Sequence, residues 1–347
     1  MRVFAAIDTG SNAVRMLVAR MDGNGILVRL RYERTTTRLA EGFFCRTLQA
    51  RNMERTLDAL KRYSDIIFSS YGRLSGMRAV GTSALREAGN GREFIGRVFE
   101  RTGIRLEAIT HEEEARLSAL GVTGLLKPAG LLKTGGLNPV RNMKALILDI
   151  GGGSTEWMLT EGQSLESSGS FPIGVVKLAD LFLLAGDGEA ALEREISSFG
   201  VALKTAIFSM LSKQSGFMNR SPGTVFPPGT AFIVTGGTAS TMAAIDLGLA
   251  RYEHELVHGR EIGLDRLAGM CRQLNGLSLE QRKSVPGLEP DRADLIIPGL
   301  RLIIKIMEEF GFNLVISSDT GLPEGIILDL DKRENRNSGF NGFNGPF

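Results

Sequence analysis

Short apolar runs, each closed by an acid or a hydroxyl and then by glycine, punctuate this chain. Leu146 to Ile150 is apolar apart from Asp149 and runs into Gly151-Gly152-Gly153-Ser154-Thr155-Glu156. Val3 to Ile7 ends the same way, in Asp8-Thr9-Gly10-Ser11-Asn12. A third run, Phe232-Ile233-Val234, leads to Thr235-Gly236-Gly237-Thr238 without the acid. Runs of this length predict buried strands. Two strand–Asp–Gly loops in different halves predict a duplicated α/β domain with a cleft between the halves.

The rest of the pattern fills in between these loops. Asn12 to Arg20 and residues 26–38 predict two further strands, joined at the turn Asp22-Gly23-Asn24-Gly25. Met53, Leu57, Leu60, Ile66 and Ile67 give Leu48 to Ser70 a helical period. A strand follows at Met77 to Gly81, then a helix at Phe94 to Arg101, a strand at Arg105 to Ile109, and a helix opening at His111. After Glu156 the pattern predicts a strand pair to Gly169. Helices are predicted near 175, over 189–212, 239–249, 264–275 and 293–310, a strand at Leu314 to Ser318, and a last helix at Glu324 to Asp331. Lys127 to Asn142 and Lys213 to Gly229 are rich in Gly, Pro and polar residues and predict exposed loops. The predicted domains are 1–125 with a return helix at about 322–335, and 126–321, with 336–347 a disordered polar tail.

Composition narrows the function classes. At 347 residues the chain is long enough for two cored domains, and 43% hydrophobic with 23% charged residues is ordinary for a soluble globular protein. A net charge of +2 implies no general nucleic-acid surface. The apolar run from Leu295 to Ile306 is broken by Pro298, Arg301 and Lys305 and is too short to span a bilayer. No leader peptide is expected, so the expected compartment is the cytoplasm. Cys45 and Cys271 form no metal or redox motif and are expected as buried thiols. His111, His254 and His258 have no zinc spacing. The strand–loop–strand start excludes a dinucleotide fingerprint, which needs strand–loop–helix.

What remains is phosphate and metal chemistry. Consecutive glycines let backbone N–H groups approach an anion, and an acid at a strand end beside them can hold a divalent cation. Gly81-Thr82-Ser83-Ala84-Leu85-Arg86 reads equally well as another phosphate contact or as a capped helix with a surface Arg. Glu112, Glu113 and Glu114 in a first helical turn can simply complement the helix dipole, or one of them can face the site as a general base.

Six stretches together resemble the exopolyphosphatase / guanosine pentaphosphate phosphatase (Ppx/GppA) family over about residues 1–331. They are Asp8 to Arg15, Gly81 to Arg86, Glu113 to Arg116, Asp149 to Glu156, Gly236 to Thr238, and Arg292-Ala293-Asp294 with Ser318-Asp319 and Gly321. The resemblance implies an actin-like, ribonuclease-H-like duplicated fold, related to Hsp70 and sugar kinases, with an interdomain active site. It implies Mg²⁺- or Mn²⁺-dependent release of terminal phosphate from inorganic polyphosphate or guanosine pentaphosphate. By position Glu114 matches the water-activating glutamate and Glu156 assists it. Asp8, Asp149 and Glu156 match the metal acids. Gly10, Ser11, Asn12, Arg15, Thr82, Ser83, Arg86, Gly151, Gly152, Gly153, Ser154, Thr155, Gly236, Gly237 and Thr238 match phosphate-binding positions. Thr110-His111 replaces the family's usual Ser-Gly, and Pro323 stands where an Arg is usual. The chain resembles the short, two-domain members, with a homodimer left open. The rival readings are an actin-like acetate or sugar kinase and a non-catalytic nucleotide or polyphosphate sensor.

Overall fold

The computed structural model describes residues 2–23, 25–42, 46–126, 143–184, 188–211 and 226–340. The predicted loop at 127–142, most of the one at 213–229, Cys45 and the tail from 341 lie outside the described residues. In chain order the elements begin β1 (Arg2–Thr9), β2 (Ala13–Met21), β3 (Leu27–Thr36), α1 (Ala50–Ser70), β4 (Gly76–Gly81), α2 (Ser83–Glu87), α3 (Gly91–Thr102), β5 (Leu106–Ala108) and α4 (His111–Leu125). They continue β6 (Lys144–Ile150), β7 (Thr155–Glu161), β8 (Ser164–Phe171), α5 (Val175–Leu184), α6 (Gly188–Leu211), β9 (Ala231–Thr235), α7 (Gly237–Leu247) and α8 (His254–Val257). The last are β10 (Glu261–Gly263), α9 (Leu264–Asn275), α10 (Leu279–Arg282), α11 (Ile296–Phe310), β11 (Leu314–Ser318) and α12 (Leu322–Phe340).

The chain divides into two compact units, Met1–Gly124 with Gly321–Phe347, and Leu125–Thr320. The sheet of the first has strand order β3-β2-β1-β4-β5. β1, β2 and β3 are antiparallel neighbours, and β4 and β5 add parallel to β1. One face, including Ile7, Met16 and Val18, packs on Leu57, Leu60 and Tyr63 of α1 and Phe94 of α3. The other, including Phe4, Ala6 and Leu17, packs on Leu117 of α4 and Ile326 and Ile327 of α12. Alternation along each strand thus feeds two cores, which is why β1 reads as a continuous apolar run.

The second unit repeats the plan with one strand more, in the order β10-β11-β9-β6-β7-β8. β6, β7 and β8 are antiparallel neighbours, β9 and β11 are parallel additions, and β10 closes the edge antiparallel to β11. The strand triplet plus two parallel strands is common to both units, so the fold is a duplicated ribonuclease-H-like α/β domain. The core of the second unit is built from Leu146, Leu148 and Phe232 of the sheet against α5, α6, α9 and α11.

Two differences from the sequence reading have local causes. α8, β10 and α10 went unpredicted, because three or four residues are too few to show a period. The polar end of α12 stays helical to Phe340, past the tail boundary at 336. Arg333 pairs with Asp329 at 2.7 Å, one turn back, and Asn335 donates to Asp331 at 3.1 Å. Arg2 of β1 pairs with Asp331 at 2.9 Å. Such i,i+4 pairs support a helix that carries little apolar surface.

Candidate active site

The first unit gathers nine of the predicted residues at the ends of β1 and β4 and the start of α4. Gly10 N–H donates to Ala13 O at 3.0 Å, closing a tight turn between β1 and β2. A Cβ on Gly10 would stand 3.1 Å from that same oxygen, so a side chain would crowd the turn. The turn sets Asp8 directly opposite Arg15. Arg15 donates through Nε at 2.7 Å and again through Nη2 to Asp8 Oδ2. Ser11 and Ser83 hydroxyls share a hydrogen bond at 2.9 Å, joining the first loop to the start of α2. Thr82 precedes α2 without spending its hydroxyl on a cap. In the first loop Thr9 Oγ1 and Asn12 Oδ1 are buried and make no hydrogen bond, which marks a place where a ligand or water belongs.

The three acids of α4 separate cleanly, because successive residues on a helix point about 100° apart. Thr110 Oγ1 caps the helix by accepting from Glu113 N–H at 3.2 Å. Glu112 lies on the exposed side. Glu113 accepts from Arg116 Nε at 2.8 Å and from Arg78 Nη1 at 2.9 Å. The Arg116 bond, opposed by burial and aided by Arg78, holds its carboxyl down at about 2. Glu114 alone is buried, 6% exposed, and accepts from Arg86 Nη1 at 2.9 Å. Arg86 is itself fixed by donating to Ile109 O at 2.9 Å and to His111 Nδ1 at 2.7 Å. A guanidinium only donates, so His111 Nδ1 accepts and the ring is neutral. Burial first, then Arg86, lowers the His111 pKa.

In the second unit Asp149 stands opposite Glu156 across β6 and β7. Glu156 is 1% exposed and accepts from Ser170 Oγ at 2.9 Å. The Gly151-Gly152-Gly153-Ser154 loop is closed by Gly151 N–H donating to Ser154 O at 3.0 Å. Its carbonyls at Gly151 and Gly152 accept from Val175 and Val176 N–H, each at 3.0 Å, so the first N–H groups of α5 secure the loop. The Thr155 hydroxyl donates to Ile173 O at 2.6 Å and also serves the loop's frame. Gly236 follows β9 at φ +90°, and a Cβ on it would stand 2.9 Å from Ile150 O and 3.1 Å from Asp149 Oδ1. Gly237 and the buried Thr238 then open α7.

Sequence reading gave Arg292 no role. It is 9% exposed, and a Cβ on Gly237 would fall within 1.8 Å of its Nη1. A guanidinium therefore fills the space that glycine leaves at the N-terminus of α7. Arg292 also donates through Nε to Glu289 Oε2 at 2.7 Å, an ion pair that fixes it beside the positive end of the helix. The signal in the sequence was a glycine beside a distant arginine, which one sequence cannot pair.

The donor chemistry fits a hard divalent cation best in the second unit. Asp149 and Glu156 are aligned carboxylates, and buried like charges favour a bound cation. Asp8 differs, since its Oδ2 is already held by Arg15.

Comparison with known proteins follows this geometry. The model of the Ppx/GppA phosphatase family matches residues 17–334. The chain is 26% identical over 339 residues to "Exopolyphosphatase 2" of Mycobacterium tuberculosis, covering 94% of this chain and 98% of that one. It is 26% identical over 337 residues to the "Bifunctional 3-dehydroquinate synthase/phosphatase" of Fusobacterium nucleatum, where the match covers 94% of this chain but only 46% of the relative. The crystal structure of the Aquifex aeolicus Ppx/GppA family member superposes with a TM-score of 0.73 at 28% identity, over 96% of this chain and 99% of that one. Two glycine loops behind buried aspartates, a buried glutamate on its arginine, and a family match along most of the chain agree: this protein belongs to the Ppx/GppA phosphatase family.

Proposed function

We propose that the protein releases terminal phosphate from inorganic polyphosphate, with guanosine pentaphosphate as a second substrate offering the same terminal phosphoanhydride. The observation that carries this reading is Glu114, a buried carboxylate oriented by Arg86 of α2, the short helix whose Ser83 hydroxyl bonds to Ser11 of the first loop. Phosphoryl transfer to water needs charge neutralisation at the phosphoryl group and an oriented, deprotonated water. Glu114 accepts the water's proton. In the first unit Gly10, Ser11, Asn12, Thr82 and Ser83, and in the second Gly151 to Thr155 with Gly236 to Thr238, are the proposed donors to phosphate oxygens. Arg15, Arg86 and Arg292 supply positive charge. Asp149 and Glu156 in the second unit, and Asp8 in the first, are the acids proposed for Mg²⁺ or Mn²⁺, which would supply charge neutralisation at the phosphoryl oxygens. The Thr9 hydroxyl, buried and unsatisfied, supports a ligand at the first loop.

A kinase would need an acceptor pocket in place of a water-activating glutamate, and a sensor would not need a buried base. No helix among the described residues is long and apolar enough to cross a membrane, and the proposed setting is the cytoplasm. The test is phosphate release by purified protein from polyphosphate and from guanosine pentaphosphate, with and without Mg²⁺. Metal-dependent release from either supports the reading. No release from both under either condition overturns it.

A further inference from the structure

Arg86 of α2 spends its guanidinium on the start of α4. Nη1 donates to Ile109 O and to Glu114 Oε2, each at 2.9 Å, and Nη2 donates to His111 Nδ1 at 2.7 Å. Nε is buried and makes no hydrogen bond. Arg86 and Glu114 therefore meet through Nη1 alone. Arginine–carboxylate pairs are frequently forked instead, with two parallel N–H···O bonds, one to each oxygen. Here the second donor on that edge goes to an imidazole. Glu113, one residue away on the same helix, shows the forked alternative. Arg116 reaches both of its oxygens, Nε to Oε2 at 2.8 Å and Nη2 to Oε1 at 3.1 Å. The Glu113 carboxyl is held down at about 2, with the Arg116 bond the largest cause.

His111 and Glu114 stand at i and i+3 of α4, so both reach Arg86 from one face of the helix. Thr110 keeps this first turn in place. Its hydroxyl accepts from Glu113 N–H at 3.2 Å, and its carbonyl accepts from Glu114 N–H at 3.0 Å. Burial and the Arg86 charge lower the His111 pKa, outweighing Glu112 and Glu87, which raise it. The ring is therefore neutral at neutral pH, and Nδ1 keeps the lone pair that Arg86 uses. A neutral acceptor suits this position. A second carboxylate there would compete with Glu114 for Arg86, and an imidazolium would have nothing to accept with.

We propose that His111 is a positioning residue: it takes one of the two donors Arg86 would otherwise give Glu114, so that a single bond orients the glutamate and leaves it basic enough to accept a proton from water. This rests on the reading of Glu114 as the base above. A carboxylate beside an arginine has its pKa lowered by about one to three units, most when the guanidinium grips both oxygens. A weaker base takes the proton less readily in the transition state. A fork on Glu114 would orient it firmly and blunt it, as the fork on Glu113 does. Sharing Arg86 with His111 keeps the orientation and spares the basicity.

Phosphate release from polyphosphate by the full chain, measured as kcat and KM across a pH series with Mg²⁺ present, tests this. The acid limb of kcat reports protonation of the base in the bound complex. His111→Ala leaves Nη2 for Glu114, so that limb should move down by about one pH unit. Plateau kcat should fall roughly 3–10-fold, with KM within about 2-fold of wild type. His111→Leu keeps bulk without an acceptor and should do the same, which covers any loss of folding in His111→Ala. His111→Asn sets an amide oxygen close to where Nδ1 stands, and should restore the limb and most of kcat. A merely structural role would lower the melting temperature and kcat with the limb unmoved. An unmoved or raised limb in His111→Ala and His111→Leu, beside an active wild type, overturns this inference alone. So does His111→Asn behaving as they do. Near-normal turnover in Glu114→Gln, or a wild type that releases no phosphate, overturns the reading of the base, and this inference with it.

Discussion

The two units share a strand triplet, a register and an aspartate, yet the residue opposite that aspartate differs in charge. Asp8 faces Arg15, while Asp149 faces Glu156. In the first unit the carboxylate is bound by a guanidinium, so the pair is near neutral. In the second, two buried carboxylates align, an arrangement that asks for a cation. One position further out the contrast holds, with Arg34 against Ser170. A duplicated fold supplies two equivalent strand ends and leaves their electrostatics free to diverge. Here one copy has the charge suited to phosphate and the other the charge suited to metal.

The largest test of this division is at the base. Glu114→Gln preserves the size of the side chain and its position on α4, and should reduce phosphate release by about 10²–10⁴-fold with polyphosphate binding retained. Near-normal turnover in that variant would move the role elsewhere. If the two units serve one reaction, combining Glu114→Gln with Asp149→Asn should cost far less than the sum of the single losses.

Metal dependence sharpens the comparison directly. Asp149→Asn should raise the Mg²⁺ concentration needed for half-maximal activity by roughly 10–100-fold. Asp8→Asn should shift that concentration less and raise KM more, because it loosens Arg15. Equal shifts for both variants would show that the two strand ends have not diverged as their partners suggest.

Gly237→Ala probes the anion side of the second unit. The new Cβ would displace the tip of Arg292, a flexible group that can swing aside, so stability should change by about 1 kcal/mol or less. Substrate KM should rise roughly 10-fold. Gly174→Ala is the contrasting variant. Its Cβ would meet Gly152 backbone at 2.4 Å, which cannot yield cheaply, so it should lower the melting temperature by several degrees.

Much of this was legible in the sequence because it rests on local pattern. Strand, acid and glycine in succession located β1 and β6, and the apolar period located α1 and α11. Candidate residues on one loop, such as Ser11 or Gly152, came with their strands. What stayed hidden depends on register and on contacts far apart in the chain. Arg292 is tied to Gly237 only by folding. The polar end of α12 has too little apolar content to signal a helix, although the Arg333–Asp329 pair and the Asn335–Asp331 bond one turn before it support one. The resemblance singled out Glu114, but the physical difference among Glu112, Glu113 and Glu114 depends on where Arg78, Arg86 and Arg116 lie, and only Arg116 is near in sequence.

That choice gives the smallest effect and a separate check on the division of labour within α4. Glu113 is bound by Arg116 and Arg78 rather than set toward a substrate, so Glu113→Gln should leave kcat and KM within about 2-fold of wild type. Its contribution belongs to stability and has a defined pH window. The folded carboxyl lies at about 2 against an ordinary 4.5, with the Arg116 bond the largest cause. A depressed carboxyl stabilises the fold above its unfolded pKa, and that stability is lost as pH falls through the folded value. Wild type should therefore lose stability between about pH 4.5 and pH 2 partly through this group, whereas Glu113→Gln should start roughly 1–2 kcal/mol less stable at neutral pH and fall more gently across that window. Thermal melts at half-unit pH steps measure both slopes. Parallel curves for the two proteins would show that the Arg116–Glu113–Arg78 contacts contribute nothing to the fold, and would reopen Glu113 as the base.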